Sequence, residues 1–267
     1  MTNLKSYQTV FISDTHLGTK GASADKLLDF LNNLTCKKLV LVGDIIDGWA
    51  LSRKVYWPAT HQAVVQRIIN MAQKGTEVVY IPGNHDEPLK HYDSLVMGNI
   101  RVEMNHRHTL QDGRVLLCVH GDDFDIVTRH HRWVAVLGDI AYESLLKLNR
   151  VLNKARARFG MGYWSLSSYV KHKVKSVVSF IGDYQENVVR EAIHQDVDGV
   201  LCGHIHHPEI EFYDSPIPGK SFVYINTGDW VETCSYVVEH HDGRIELHAP
   251  GASVVSVEPR PGEFALA

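Results

Sequence analysis

Short apolar runs that break off into polar clusters set the pattern of this chain. Thr9-Val10-Phe11-Ile12-Ser13 gives way to Asp14-Thr15-His16-Leu17-Gly18, and Lys38-Leu39-Val40-Leu41-Val42 to Gly43-Asp44-Ile45-Ile46-Asp47. Glu77-Val78-Val79-Tyr80-Ile81 closes through Pro82-Gly83 into Asn84-His85-Asp86-Glu87. Val115–Val119 ends in His120-Gly121-Asp122-Asp123, and Gly199–Cys202 in Gly203-His204-Ile205-His206-His207-Pro208. The last strand of the series, Val223-Tyr224-Ile225, ends in Asn226-Thr227-Gly228-Asp229-Trp230. Apolar, β-branched runs closed by Gly or Pro predict buried strands. Amides, imidazoles and carboxylates are costly to desolvate, so a buried strand ends in them where metal, substrate or solvent satisfies them. A single such cluster would read as a solvated loop. Its recurrence predicts one shared site at strand ends, which is how α/β folds commonly assemble a site.

Between the strands the period changes to that of helices. Leu27, Leu28, Leu31 and Leu34 predict a helix over 25–34 with Ser23 or Asp25 as cap, and Val64, Ile68 and Met71 predict another starting near Thr60. Gln111-Asp112-Gly113 predicts a hairpin between arms Arg101–Leu110 and Arg114–Val119, and Asp242-Gly243 a closing antiparallel pair, Cys234–Glu239 with Arg244–His248. Residues 259–267 read as a loose tail.

Between His120 and His204 the chain changes character. Trp133, Val136, Leu137, Ile140, Leu145, Leu148 and Leu152 form one apolar stripe at helical spacing, and Val170, Val174, Val177 and Ile181 another. From Arg129 to Lys175 ten basic residues face two acidic ones, a local balance of +8 against a net charge of -4, which leaves -12 for the remainder. That split predicts a separate surface: a helical insertion packed by its stripes that also caps the site, binds phosphates and leans on an anionic membrane. The boundaries expected are a core over 1–123, the inserted basic lid over 124–182, the core resumed over 183–258, and the tail.

Composition narrows the class. With 267 residues, 44% hydrophobic and 22% charged, the chain is an ordinary globular enzyme in size and balance. Its net charge gives no basic field for nucleic acid. Seventeen histidines, scattered rather than in a tag, are the departure, and imidazole is the commonest side-chain metal ligand. Cys36, Cys118, Cys202 and Cys234 form no CxxC pair, and Cys118 and Cys202 sit in apolar runs as buried thiols. No signal-like core opens the sequence and no run reaches membrane-spanning length, so a reducing cytosol is expected, a setting that leaves contact with a membrane from that side open. Walker loops and serine nucleophile elbows are absent.

Aspartate, asparagine and histidine without cysteine suit Mn²⁺, Fe²⁺ or Zn²⁺, with Mn²⁺ placed first. Asp14, His16, Asp44, Asn84, His120, His204 and His206 suffice for two ions if one carboxylate bridges them, and two ions can activate water and clamp a phosphoryl group. His85, oriented by Asp86, is expected to protonate the leaving alkoxide.

The ordered blocks Asp-x-His, Gly-Asp-x-x-Asp, Gly-Asn-His-Asp, His and Gly-His-x-His, from Thr9 to Trp230, resemble the calcineurin-like metallophosphoesterase superfamily. The resemblance implies an α/β fold, a two-sheet αββα sandwich with an inserted helical lid. One ion would take Asp14, His16, Asp44 and His206, the other Asp44, Asn84, His120 and His204, with His85 as proton donor. Asp47, Asp122 and Asp123 would support the ions or contact substrate, and His207 would be structural or solvent-facing.

Within the superfamily, Ser13–Gly18, His120-Gly121-Asp122 and the long insertion resemble the UDP-2,3-diacylglucosamine diphosphatase branch. That branch releases UMP and a phosphorylated lipid in lipid A biosynthesis. Its best-known members carry arginine where this chain has His85, and Tyr163-Trp164-Ser165-Leu166-Ser167 marks a related subgroup. The substrate is then a nucleotide-linked lipid held by Asp122, Asp123, Arg129, Arg156, Arg158, Tyr163 and Lys171. The alternatives are a phosphodiesterase or phosphatase acting on soluble substrates, and a non-catalytic metal-dependent scaffold.

Overall fold

The computed structural model describes residues 4–124, 181–215, 217 and 221–259. Its strands are β1 (Lys5–Ile12), β2 (Leu34–Val42), β3 (Glu77–Ile81), β4 (Val96–Met97), β5 (Ile100–Val102), β6 (His106–Thr109) and β7 (Val115–Cys118). They continue as β8 (Gly199–Cys202), β9 (Glu209–Asp214), β10 (Ser221–Asn226), β11 (Tyr236–Glu239), β12 (Ile245–His248) and β13 (Val255–Val257). Helices α1 (Ala24–Asn32), α2 (Gly48–Arg53) and α3 (Ala59–Gln73) lie between the first three strands, and residues 181–193 are helical ahead of β8.

Two sheets result. The larger runs β13-β12-β11-β1-β2-β3-β5-β4, the smaller β6-β7-β8-β10-β9. Within them β1, β2, β3 and β5 are parallel neighbours, as are β7, β8 and β10. Strand alternation sorts the core. Phe11, Val40, Val42, Val79 and Ile81 turn toward Leu116, Cys118, Leu201, Val223 and Ile225 of the smaller sheet. Their neighbours Val10, Ile12, Leu39, Leu41 and Val78 turn to Leu27 and Leu31 of α1 and Val64, Ile68 and Met71 of α3. The mixed α/β two-sheet architecture is the one expected.

The chain divides into two compact units, Met1–Gly121 with Val188–Ala267, and Asp122–Asn187. Apart from Ile181, the two expected helical stripes of the insertion lie outside the described residues, as does nearly all of the tail. Among those residues, no helix is long and apolar enough to cross a membrane.

Two local expectations change. The first helix stops at Asn32, because Asn33 caps it, its side-chain amide and backbone N–H both donating to the Asp29 carbonyl. Leu34 therefore opens β2 instead of closing the helix. The expected arm Arg101–Leu110 is two strands. β5 pairs with β3 in the larger sheet, and after residues 103–105 β6 pairs with β7 in the smaller one. Sequence also missed α2, β4, β9 and β13, which are short or exposed on both faces and carry no periodic signal.

The two sheets are also tied by a buried polar group. Glu239, fully buried, accepts from Thr9 Oγ1 (2.7 Å) and His108 Nε2 (2.9 Å) through one oxygen and from the Gln111 backbone N–H (2.8 Å) through the other. Replacing Glu239 by alanine leaves Thr9 and His108 buried without this acceptor, so stability should fall by about 3 kcal/mol. Urea unfolding is the measurement. An unchanged midpoint would show that the network holds nothing.

Candidate metal centre

Each parallel strand delivers its polar cluster at its C-terminal end, and the backbone there is bent in an unusual way. Asp14 (φ 48°), His16 (46°), Asp44 (54°), His204 (71°) and His206 (53°) are all left-handed, five of the eight non-glycine residues with positive φ among those described. Each such residue costs about 1–2 kcal/mol. Strain of this kind persists where the surroundings impose it and concentrates at functional sites. Here the loops are laced together. Asp14 N–H donates to Gly43 O (3.0 Å), His16 N–H to Asp44 O (2.9 Å), Gly203 N–H to His120 O (3.1 Å) and Trp230 N–H to Asp14 O (3.0 Å).

Among the described residues three ligand clusters emerge, one joining His16 to Asp47 and His85 and two built from predicted ligands alone. Asp14, His16 and His206 offer atoms that all lie within 4.8 Å of one another, and so do Asp44, His120 and His204. In the first, His206 Nε2 is 3.2 Å from Asp14 Oδ1 and 3.3 Å from His16 Nε2. In the second, His120 Nε2 is 3.3 Å from Asp44 Oδ2 and 3.2 Å from Asn84 Oδ1. Asp44 Oδ2 also stands 3.9 Å from His16 Nε2, between the two groups. All seven sequence-predicted ligands are thus brought together.

The donor set fits divalent metal. His120 gives its Nδ1 proton to Val42 O (3.0 Å) and His16 turns Nδ1 to Asp47 (3.1 Å), so both rings face the site through Nε2. Asp14 Oδ1 is buried with no hydrogen-bond donor in good geometry. Burial pushes the Asp14 and Asp44 carboxyls up, yet the imidazoles outweigh it: His206 beside Asp14, and His120, His85 and His16 beside Asp44, hold both below the usual carboxylate range. Burial likewise opposes the charge on His206, but Asp14 raises that imidazole to about 9. Each carboxylate demands a cation. Divalent ions held by Asp14, His16, Asp44, Asn84, His120, His204 and His206 would meet that demand, with the imidazoles as neutral ligands.

The proton-donor assignment needs one correction. Asp86 does not orient His85. Its carboxylate is folded back into the turn, accepting from Ile45 N–H (2.9 Å), Tyr80 Oη (2.6 Å) and Gly83 N–H. Burial and the Asp44 charge raise its pKa. The carboxylate beside His85 is Asp47, with Oδ2 2.9 Å from Nδ1, and Asp47 Oδ1 caps α2 at Ala50 N–H (2.7 Å). Against the pull of burial, Asp47 and Asp44 raise the His85 pKa. We expect Asp47→Asn to slow turnover by about 10²-fold, because two rings lose their fixed orientation at once. Asp86→Asn should instead act mainly on thermal stability. Comparing kcat with the melting temperature for both variants checks this, and the reverse pattern would restore Asp86 to the donor.

Among the predicted substrate contacts, Asp122 and Asp123 sit in a short 3-10 turn over Asp122–Phe124, with Asp123 exposed. Arg129, Arg156, Arg158, Tyr163 and Lys171 lie outside the described residues. His207 is half exposed, 3.6 Å from Glu209. Cys118 and Cys202 are buried thiols, and burial pushes Cys118 far up. Sequence reading gave Asp229 no task. It is fully buried, accepting from Val231 N–H (2.7 Å) and Thr233 Oγ1 (2.7 Å), and so shapes the loop whose Trp230 N–H holds Asp14. Its place in the Asn226–Trp230 cluster was the available signal.

Residues 7–208 match the family described as calcineurin-like phosphoesterase. A UDP-2,3-diacylglucosamine hydrolase of Porphyromonas gingivalis is 24% identical over 257 residues, covering 85% of this chain and 92% of that protein. One from Xanthomonas campestris pv. campestris is 25% identical over 252 residues, covering 88% and 96%. Among solved structures, wild-type Vps29 of Entamoeba histolytica complexed with zinc aligns over 93% of this chain and 96% of that one, at 13% identity and a TM-score of 0.45.

Proposed function

Because this chain belongs to the calcineurin-like phosphoesterase family, and so hydrolyses phosphoester or phosphoanhydride bonds, we propose that its substrate is UDP-2,3-diacylglucosamine or a closely related nucleotide-linked lipid. The observation that carries this reading is the name shared by four relatives, each aligned over at least 85% of this chain. The basic segment 129–175, with its +8 balance, suits both a pyrophosphate and an anionic membrane surface. On this reading the enzyme works in the cytoplasm, peripheral on the inner membrane.

Two divalent ions, Mn²⁺ before Fe²⁺ or Zn²⁺, supply an activated water and positive charge against the phosphoryl oxygens when bound. Asp14, His16, Asp44 and His206 would hold one, Asp44, Asn84, His120 and His204 the other. The protein's own task is proton delivery. The attacking water gives a proton to solvent, its oxygen bonds to phosphorus, and the bond to the leaving group breaks. The departing oxygen keeps the electron pair and takes a proton from His85 Nε2, while Asp47 holds the opposite ring nitrogen.

A specific observation favours a second reading, a phosphodiesterase or phosphatase on soluble substrates. An imidazole paired with a carboxylate suits an alkoxide leaving group, which needs a proton far more than a departing phosphate does. Metal-free protein reconstituted with Mn²⁺ and given UDP-2,3-diacylglucosamine decides between them. Rapid UMP release is the expected result. No release, with alkyl phosphodiesters cleaved, would move the enzyme to the second reading.

A further inference from the structure

His85 is a quarter exposed, far more open than Asp44 or His120, yet three consecutive residues bracket it. Gly48 N–H donates to its carbonyl (2.9 Å), and Asp47 stands at its Nδ1 (2.9 Å). Trp49 lays its indole against the imidazole face, with ring centroids 4.2 Å apart and planes 35° apart. His16 closes the other side edge-on at 4.6 Å and 88°. The close approach explains Gly48, since a Cβ there would press on the His85 carbonyl.

Trp49 sits in the first turn of the six-residue helix α2 and is partly buried. A single polar contact at Nδ1 leaves an imidazole free to swing about that contact. A flat partner against its face removes the freedom. We propose that Trp49 is a positioning residue for His85, fixing the plane of the imidazole so that Nε2 meets the leaving-group oxygen. This rests on the reading of His85 as proton donor.

The test uses full-length, Mn²⁺-loaded protein and two esters of UMP, p-nitrophenyl and ethyl, with UMP as the product followed. Nitrophenolate leaves without a proton; ethoxide requires one. The readout is the ratio of ethyl to nitrophenyl kcat. Trp49→Ala is expected to lower that ratio about tenfold, with KM for both esters unchanged. Trp49→Leu, bulky but not flat, should match alanine and serves alone if the alanine variant does not fold. Trp49→Phe should restore most of the ratio.

His85→Gln is measured beside them. If it lowers the ratio and the Trp49 variants do not, the proposal for Trp49 falls while the donor stands. If His85→Gln slows both esters equally, the donor reading itself falls, and the proposal with it. A rise in KM for both esters at constant ratio would make Trp49 a substrate contact instead.

Discussion

Asp44→Asn should abolish binding of both metal ions and reduce hydrolysis by about 10³-fold or more, the loss expected when several kcal/mol of transition-state charge stabilisation disappears. The Asp44 carboxylate stands between imidazoles of both ligand clusters. Oδ2 is 3.3 Å from His120 Nε2 and 3.9 Å from His16 Nε2, while Oδ1 accepts the His85 backbone N–H at 2.8 Å. Asparagine keeps the shape and removes the charge that His120, His85 and His16 all face. Asp14→Asn is the comparison, because Asp14 Oδ1 faces His206 Nε2 (3.2 Å) and His16 Nε2 (3.9 Å), both of the first cluster. It should release one ion and leave the other. Metal stoichiometry by titration calorimetry separates the two variants. Two ions retained in Asp44→Asn would end the bridging assignment, as would loss of both in Asp14→Asn.

A methyl group at Gly83 should do nearly as much harm without removing any ligand. A Cβ at this position would collide with Asp44 Oδ1, the Asp44 backbone nitrogen and the His120 ring, none of which is the loose end of a flexible side chain. Asp44 and His120 are both nearly fully buried and cannot move outward. Turnover in Gly83→Ala should therefore fall by about 10²-fold, the scale of a displacement of about 1 Å at a reacting centre. Overpacking should cost about 1–3 kcal/mol of stability. Gly75→Ala is the control. That glycine has φ +104° with nothing within 4 Å of its missing Cβ, so it should lose stability through backbone strain and keep its turnover. Full activity in Gly83→Ala, with both ions bound, would mean that the Asp44 loop tolerates displacement.

The strands and the ligand set were legible because their signals are local. Leu39–Val42 is an uninterrupted apolar run and becomes the buried half of β2, and the Asp44 that follows it needs no distant residue to mark it as costly. Where the signal was local but ambiguous, reading went astray. Leu34 fits the helical spacing of Leu27 and Leu31 as well as it fits a strand, and the Asn33 cap decided it. The arm 101–110 looks continuous, yet the chain leaves one sheet and enters the other within it.

Sequence neighbours misled most at His85. Asp86 is adjacent in the chain, and the turn aims its carboxylate at Ile45 N–H and Tyr80 Oη. Asp47 is 38 positions away and arrives because β2 and β3 are parallel neighbours with matched ends, Val42 beside Ile81. The sequence by itself determined which chemistry the chain can perform, since residue type and its place at the end of an apolar run fix donor atoms and desolvation cost. Only the tertiary structure decided which donors share a site and which carboxylate serves which imidazole. Side-chain direction follows from backbone torsions such as the left-handed Asp14, His16 and Asp44, and those are imposed by hydrogen bonds between strands far apart in sequence.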